Sequence, residues 1–264
     1  MAKSRSAISF TRPPPRHSPN KLLAALSAAD YQRILPTLST VPLKFKQVLH
    51  KHREQISTVY FPGGGVCSIT NVMTDGRMVE VAAIGREGFV GLTAFTGDGR
   101  AMGDAFVQVP DGEGQAMPVE AFRREIDRRG PFYDLIARFS QAHLALVMQS
   151  IACNALHLVE ERCARWLLMT HDRVGHDEFQ LTHEFLSMML GVRRPTVSLV
   201  LGVFHKAGII DNGSKKIKVV ERQRLEDSSC ECYRVVTDTF ARLLPDAPVK
   251  DTDERFARSF PTQK

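Results

Sequence analysis

Arg193-Arg194-Pro195 opens a segment in which Val197, Val200, Leu201 and Phe204 recur at i, i+3, i+4 and i+7. That spacing predicts a helix with one buried face. The other face carries Arg194, Thr196, Ser198 and Leu199, which are short or donor-bearing. An arginine near a helix N-terminus can bond bidentately to guanine O6 and N7, and a leucine can meet a thymine methyl. Upstream, Phe185, Leu186, Met189 and Leu190 give a shorter apolar face, with Thr182 at an N-cap position. Gly191 stands where a left-handed residue would end that helix. Helix, glycine turn, helix is the helix-turn-helix pattern, and an ordinary helical hairpin is the alternative. The downstream residues favour the helix-turn-helix. Lys206-Ala207-Gly208-Ile209-Ile210 closes the helix and enters a strand, and Asp211-Asn212-Gly213-Ser214 reads as a turn. Lys215, Lys216 and Lys218 then alternate with Ile217 and Val219, a basic wing placed to touch phosphate. The expected contacts to double-stranded DNA are therefore Thr182, Arg193, Arg194, Thr196, Ser198, Leu199, Lys215 and Lys216.

Other constellations suggest different chemistry. His50, His52 and Glu54 form an HxHxE run that would share one face of an alternating strand, as two histidines and a glutamate do in cupin-like metal enzymes. The glutamate comes too early, and no histidine lies between residues 53 and 142 to complete the set. A metal-dependent jelly-roll enzyme is thus the competing class. Cys230-x-Cys232 is shorter than the usual CxxC clip and lacks a second pair; its role, including a metal or redox sensor, is left open. No catalytic residue and no metal ligand is assigned, and the chain is read as a non-enzyme. Gly63-Gly64-Gly65 and Gly85-Arg86-Glu87-Gly88 lack a following phosphate-binding helix and read as turns. Trp166, beside Leu167 and Leu168, reads as core.

The elements that must position these groups fall in blocks. Residues 1–20 hold Pro13-Pro14-Pro15 and four basic residues with no acid, which predicts a disordered tail. Short helices are expected from Asn20 and around Asp30 to Leu38. Between about 43 and 118, β-prone runs (Thr58–Phe61, Val66–Val72, Met78–Ile84, Ala105–Val109) alternate with Gly-rich turns, the mark of a small sandwich or barrel. Gly130-Pro131 begins a long helix with two apolar stripes, one of Leu135, Phe139, Ala142 and Leu146, the other of Leu144, Met148, Ile151, Ala155 and Leu158. Its own β-domain can cover one stripe. A twofold partner would cover the second at Leu144, Met148, Ile151 and Ala155, unless the helix is simply buried within a monomer.

The 264 residues, 43% hydrophobic and 24% charged, suit a soluble globular protein of two ordinary domains or one large one. A net charge of +6 favours a polyanionic partner, and five cysteines, an odd number, suit a reducing cytosol. No apolar run approaches the roughly 20 residues of a membrane span, and the N-terminus lacks a secretory apolar core.

Leu181 to Ser198, LTHEFLSMMLGVRRPTVS, resembles the helix-turn-helix of the Crp–Fnr family of bacterial transcription regulators, in register at Thr182, Gly191, Arg194, Thr196 and Val197. Val159-Glu160-Glu161-Arg162, Ala164-Arg165-Trp166-Leu167-Leu168 and Ser229-Cys230-Glu231-Cys232-Tyr233 resemble a subgroup of it. The resemblance is strong over about 155–233 and weaker over about 30–155. It implies an α+β chain: a cyclic-nucleotide-binding-like β-roll at 21–130, a dimerisation helix at 131–157, a winged helix-turn-helix at 158–235 and a C-terminal tail at 236–264. It also implies a cytoplasmic, nucleoid-associated homodimer on a pseudo-palindromic operator, with RNA polymerase a candidate partner. Two departures matter. Pro195 and Leu199 replace a glutamate and an arginine of members that read the best-known operator, so that operator does not carry over. Gly91-Leu92-Thr93 stands where the cAMP receptors carry a glycine-glutamate pair, and Arg100-Ala101-Met102-Gly103 where they carry arginine-serine. A cyclic nucleotide is therefore not expected, and no other cofactor or effector is assigned. Iron–sulfur members need an N-terminal cysteine cluster, whereas the first cysteine here is Cys67. Two readings of the β-roll remain, a different small ligand in a remodelled pocket or, by preference, an interior filled by Phe89, Leu92, Phe95 and Phe106 that only scaffolds the dimer.

Overall fold

The turn at 75–76 folds residues 66–84 into an antiparallel hairpin, whereas the glycine turns at 63–65 and 111–112 carry the chain from one sheet to the other. The computed structural model describes residues 17–213 and 215–244. Helices α1 (Lys21–Ala24) and α2 (Ala28–Ile34) lead into strands β1 (Ser39–Pro42), β2 (Val48–His50), β3 (Thr58–Pro62), β4 (Val66–Val72) and β5 (Met78–Ile84). A short α3 (Thr93–Thr96), β6 (Asp104–Val109), β7 (Glu113–Pro118) and α4 (Val119–Asp127) complete the β-roll. Its two antiparallel sheets run β1-β7-β3 and β2-β6-β4-β5. Between and beside them sit Val59, Phe61, Phe89, Val107, Met117 and Phe122, all buried. Strands β1 and β2 carry too little periodicity to be predicted; pairing with β7 and β6 makes them strands.

Next comes the long helix α5 (Pro131–Leu156), with Pro131 at its first turn, where a missing N–H costs nothing. Phe132, Leu135, Ile136, Phe139, Ala142 and Leu146 are buried, most of them against the β-roll. The approach is tight enough to demand glycine: a Cβ at Gly88 would run into the Phe139 ring. The opposite stripe has no cover among the described residues, with Leu144 60%, Met148 63% and Ile151 66% exposed.

After α5 come α6 (Val159–Val174), β8 (Glu178–Gln180), α7 (His183–Leu190), α8 (Arg194–Lys206), β9 (Ile210–Asn212), β10 (Lys216–Val219), α9 (Arg222–Asp227) and α10 (Cys232–Leu243). A second core of Leu167, Leu186, Val197, Leu201, Ile217 and Leu225 holds this half together. It is tied to the β-roll through side chains. Phe185 of α7 packs on Phe45 and Phe106, and Trp166 Nε1 donates to Glu80 Oε1 at 3.0 Å. Arg173 Nε donates to Glu87 Oε1 at 2.8 Å. Trp166 is thus buried, but as a bridge between domains as well as core.

Both tail expectations need correction where residues are described. Residues 1–16 and 245–264 lie outside the described residues. Asn20, however, is fully buried: its Oδ1 caps α1 at Leu23 N, and its Nδ2 donates to Pro62 O and Gly88 O. Three backbone partners leave it no freedom to be disordered. At the other end the expected tail from 236 begins inside α10, whose Val236 is buried and whose Phe240 meets Phe139 edge-on. The helical spacing of Tyr233, Val236 and Phe240 was the signal that could have found this helix.

Candidate nucleic-acid interface and adjoining cavity

Thr182 starts α7 as its N-cap, accepting from Phe185 N at 3.2 Å, and Gly191 ends it at φ +64°, a left-handed value glycine adopts freely. Arg193 occupies the N-cap position of α8, and the two helices meet at 110°. Val197, Val200, Leu201 and Phe204 are buried, so α8 shows its other face outward. On that face Arg193 and Arg194 are exposed, and Arg194 stands 4.0 Å from Glu184, a surface pair too weak to hold it back. Leu199 is 73% and Val203 60% exposed, an apolar stripe suited to thymine methyl groups. Val203 was not among the expected contacts; its helical offset from Leu199 was the signal that could have found it.

Not all the expected contacts are free. Thr182 and Thr196 are half-buried, and the Thr182 oxygen is engaged as a cap. Ser198 is half-buried too: its Oγ lies 2.9 Å from His183 Nδ1, while His183 Nε2 lies 3.1 Å from Asn212 Oδ1. In a neutral ring, Nε2 donates to the asparagine oxygen and Nδ1 accepts the serine proton. That chain of bonds ties α7, α8 and β9 together, so Ser198 positions the helix in the free protein. The wing is the sheet β8-β10-β9, whose strand β8 was not foreseen. Asp211 and Asn212 pair with Lys218 and Ile217, so the turn starts after Asn212, later than the sequence suggested. Lys215, Lys216 and Lys218 are exposed, and Lys216 Nζ bonds Glu178 Oε1 at 2.6 Å.

A cavity of about 480 Å³ lies between the β-roll and α5. This overturns the expectation of a filled interior, and the aromatic directions explain why. Phe89 turns to Phe61, Phe122 and Phe139, whereas Phe106 turns to Phe185, leaving the space between unfilled. Ile69, Val79, Ala82, Ile84, Leu92 and Leu144 are among the apolar residues that line it, with His50, Asn71, Glu80, Thr93, His143, Ser150 and Asn154 as polar points. No lysine or arginine is among its lining residues. Burial holds His143 down to about 4, with Arg173 adding to the effect, so its ring is neutral at pH 7. Burial pushes Glu80 up, against the hydrogen bonds from Ser68 and Trp166. Thr93 Oγ1 and His143 Nδ1 are buried without a protein partner.

The HxHxE run does not converge. Strand β2 ends at His50, whose Nε2 meets Thr58 O at 2.8 Å, while His52 Nδ1 meets Met102 O at 2.8 Å. Arg53 takes φ +65°, a turn that breaks the alternation the shared face required, and Glu54 is exposed. Among the described residues one group of metal-ligating side chains does converge, Cys153, His157, Cys230 and Cys232.

Comparison with known proteins agrees with this geometry. Residues 161–228 match the Crp-like helix-turn-helix domain family. A comparison with curated proteins gives no match. Among solved structures, a CRP-family transcriptional regulator from Thermus thermophilus shares 19% identity at a TM-score of 0.60, over 71% of this chain and 95% of that one. The c-di-GMP-responsive global regulator CLP of Xanthomonas campestris shares 15% at 0.60, over 73% and 99%. FixK2 from Bradyrhizobium japonicum shares 21% at 0.56, over 73% and 98%. Likeness at these identities is one of fold. With the exposed α8 face and basic wing, the class is that of winged helix-turn-helix DNA-binding proteins. Within it, residues 161–228 form a Crp-like helix-turn-helix domain, and the α+β fold that carries it is similar to that of the solved Crp/Fnr regulators. No single helix among the described residues is long and apolar enough to cross a membrane; α7 and α8 together pass by composition but are sharply bent.

Proposed function

We propose that the protein is a cytoplasmic transcription regulator, not an enzyme, that binds a pseudo-palindromic operator as a homodimer. The observation that carries this reading is the α8 face, with exposed Arg194 at its start and exposed Leu199 and Val203 along it. Arg193, Lys215, Lys216 and the helix ends neutralise phosphates, and Arg194 with Leu199 reads base edges. Leu144, Met148, Ile151 and Ala155, all exposed within the single chain, supply the twofold interface. Dimerisation sets two recognition helices about 34 Å apart, one duplex turn. Replacing Arg194 by Ala costs about 1–3 kcal/mol on the specific site and little elsewhere. Lys215→Ala instead weakens binding to all sequences alike and reduces the salt slope by about one unit. Fluorescence anisotropy at several salt concentrations measures both; equal losses on specific and random duplexes for Arg194→Ala would refute the base-reading role.

The cavity supports regulation by an effector that is not a cyclic nucleotide. Strand β5 lines the cavity at Val79, Glu80 and Ala82, and the same Glu80 accepts from Trp166 of the DNA-binding half. A ligand that moves β5 shifts that bond, which is a physical route from one domain to the other. A phosphodiester taken from water needs a cation or converging donors. The lining offers a carboxylate at Glu80 and an apolar Leu92 instead, and Arg100 is spent outside on Arg53 O. Isothermal titration with cAMP and cGMP is expected to show no binding at micromolar concentrations; a saturating isotherm would contradict this assignment.

A further inference from the structure

Cys153 and His157 lie one helical turn apart near the end of α5, so both point to one side. Cys230, from the turn after α9, and Cys232, the first residue of α10, arrive there too. The four ligand atoms lie within 4.8 Å of one another, and all three cysteines are buried. Cys153 Sγ is 3.5 Å from Cys230 Sγ, and Cys232 Sγ is 3.5 Å from His157 Nδ1. Tetrahedral zinc, with bonds of about 2.3 Å to sulfur and about 2.0 Å to nitrogen, sets ligand pairs about 3.8 Å and 3.5 Å apart. The cage therefore fits one ion without backbone movement. A multi-iron cluster would need its ligands spread around several metals and bridging sulfides.

The surroundings match a metal centre as well. Glu231 Oε2 sits 3.2 Å from His157 Nε2, the carboxylate–histidine arrangement that fixes a ligating ring with Nδ1 toward the metal. Gln149 Nε2 donates to Cys232 Sγ at 3.0 Å. Three thiolates, a neutral imidazole and a divalent ion carry a net charge of −1. Arg162 and Arg165 stand beside the thiols, and the Nε of each is buried without a protein partner. Two guanidiniums, each with an unpaired buried Nε, would be costly beside a neutral thiol cluster; beside an anionic centre they are satisfied electrostatically.

We propose that Cys153, His157, Cys230 and Cys232 bind one tetrahedral soft divalent metal ion, zinc by preference, pinning the end of the long helix to the start of α10. On binding, the three thiols lose their protons to solvent and sulfur and nitrogen lone pairs form the four bonds, with no change in oxidation state. A Cys153–Cys230 disulfide is the rival chemistry, but it would use neither Cys232 nor the His157–Glu231 pair.

The test uses the full chain, reduced, stripped with a chelator and titrated with Co²⁺ and then Zn²⁺. Expected are one equivalent per chain, tetrahedral cobalt bands with thiolate charge transfer, and displacement of cobalt by zinc. Cys67→Ser, at a buried cysteine in the β-roll, keeps these properties. His157→Ala loses the site, whereas His157→Cys restores a four-thiolate cage and zinc binding. Glu231→Ala lowers zinc affinity about 10- to 100-fold. Should His157→Ala misfold, the stoichiometry and cobalt spectrum of the unmodified chain still decide. Less than one equivalent bound, an octahedral cobalt spectrum, or a Cys153–Cys230 disulfide with no metal uptake after reduction overturns the proposal.

Discussion

Ile151→Glu is expected to convert the protein to a monomer and to lower its specific DNA affinity by about 10²- to 10⁴-fold, the range lost when two linked sites become one. The physical basis is the uncovered stripe of α5, in which Leu144, Met148 and Ile151 are each at least 60% exposed. Covering such a side chain contributes about 1.5–3 kcal/mol, and twofold symmetry counts every residue twice. A carboxylate at 151 reverses that sign, because two like charges would be desolvated near the axis. Met148→Glu should behave alike. Val72→Glu is the control: this valine is 52% exposed at the end of β4 in the β-roll, not on α5. Light scattering of the three variants gives the mass directly. An Ile151→Glu protein that stays dimeric moves the interface elsewhere.

Arg173→Ala is expected to destabilise the chain by about 3–5 kcal/mol at pH 7, the cost of stranding a buried charge. Arg173 and Glu87 are largely buried, with side chains 8% and 20% exposed, and the arginine also donates to Met169 O and Ala83 O. Burial alone would raise the Glu87 pKa, yet Arg173 and the Gly85 N–H outweigh it and hold the carboxyl below its usual range. A depressed carboxylate stabilises the fold above its unfolded pKa, and that stability is lost as pH falls through the lower folded value. In the variant the effect of burial is left unopposed, so Glu87 takes up a proton more readily and the penalty shrinks on acidification toward the ordinary carboxylate range. Arg173→Met with Glu87→Leu should recover most of the loss, since a packed apolar pair needs no charge compensation. Urea unfolding at pH 7 and pH 5 measures each variant. A loss near about 1 kcal/mol for Arg173→Ala would mean that the pair is solvated and does not join the domains.

The helix-turn-helix was legible in the sequence because its determinants are local. Thr182, Gly191 and the Val197-Val200-Leu201-Phe204 face each act within a few residues of themselves. The β4 and β5 boundaries were legible for a similar reason, a β-prone run closed by Asp75-Gly76. Elements that depend on distant partners were not. Strands β1, β2 and β8 exist through pairing, and α10 through packing on α5. The cavity hinges on which way Phe89 and Phe106 turn, a matter of which face of the roll meets α5 or α7. The cysteine–histidine cage joins residues more than seventy positions apart. Its local traces were Cys230-x-Cys232, set aside for want of a second pair, and Cys153-x-x-x-His157, two ligands at helical spacing on a helix read only for its apolar stripes.

Whether the protein reads a twofold DNA site through Arg194 is decided by selecting bound duplexes from a random pool with the full-length chain. The expected result is enrichment of one inverted-repeat sequence whose half-sites are centred about 10 base pairs apart, with a guanine in each half-site that loses its preference in Arg194→Ala. Enrichment of no sequence, or of a single half-site bound equally well by Arg194→Ala, would contradict it.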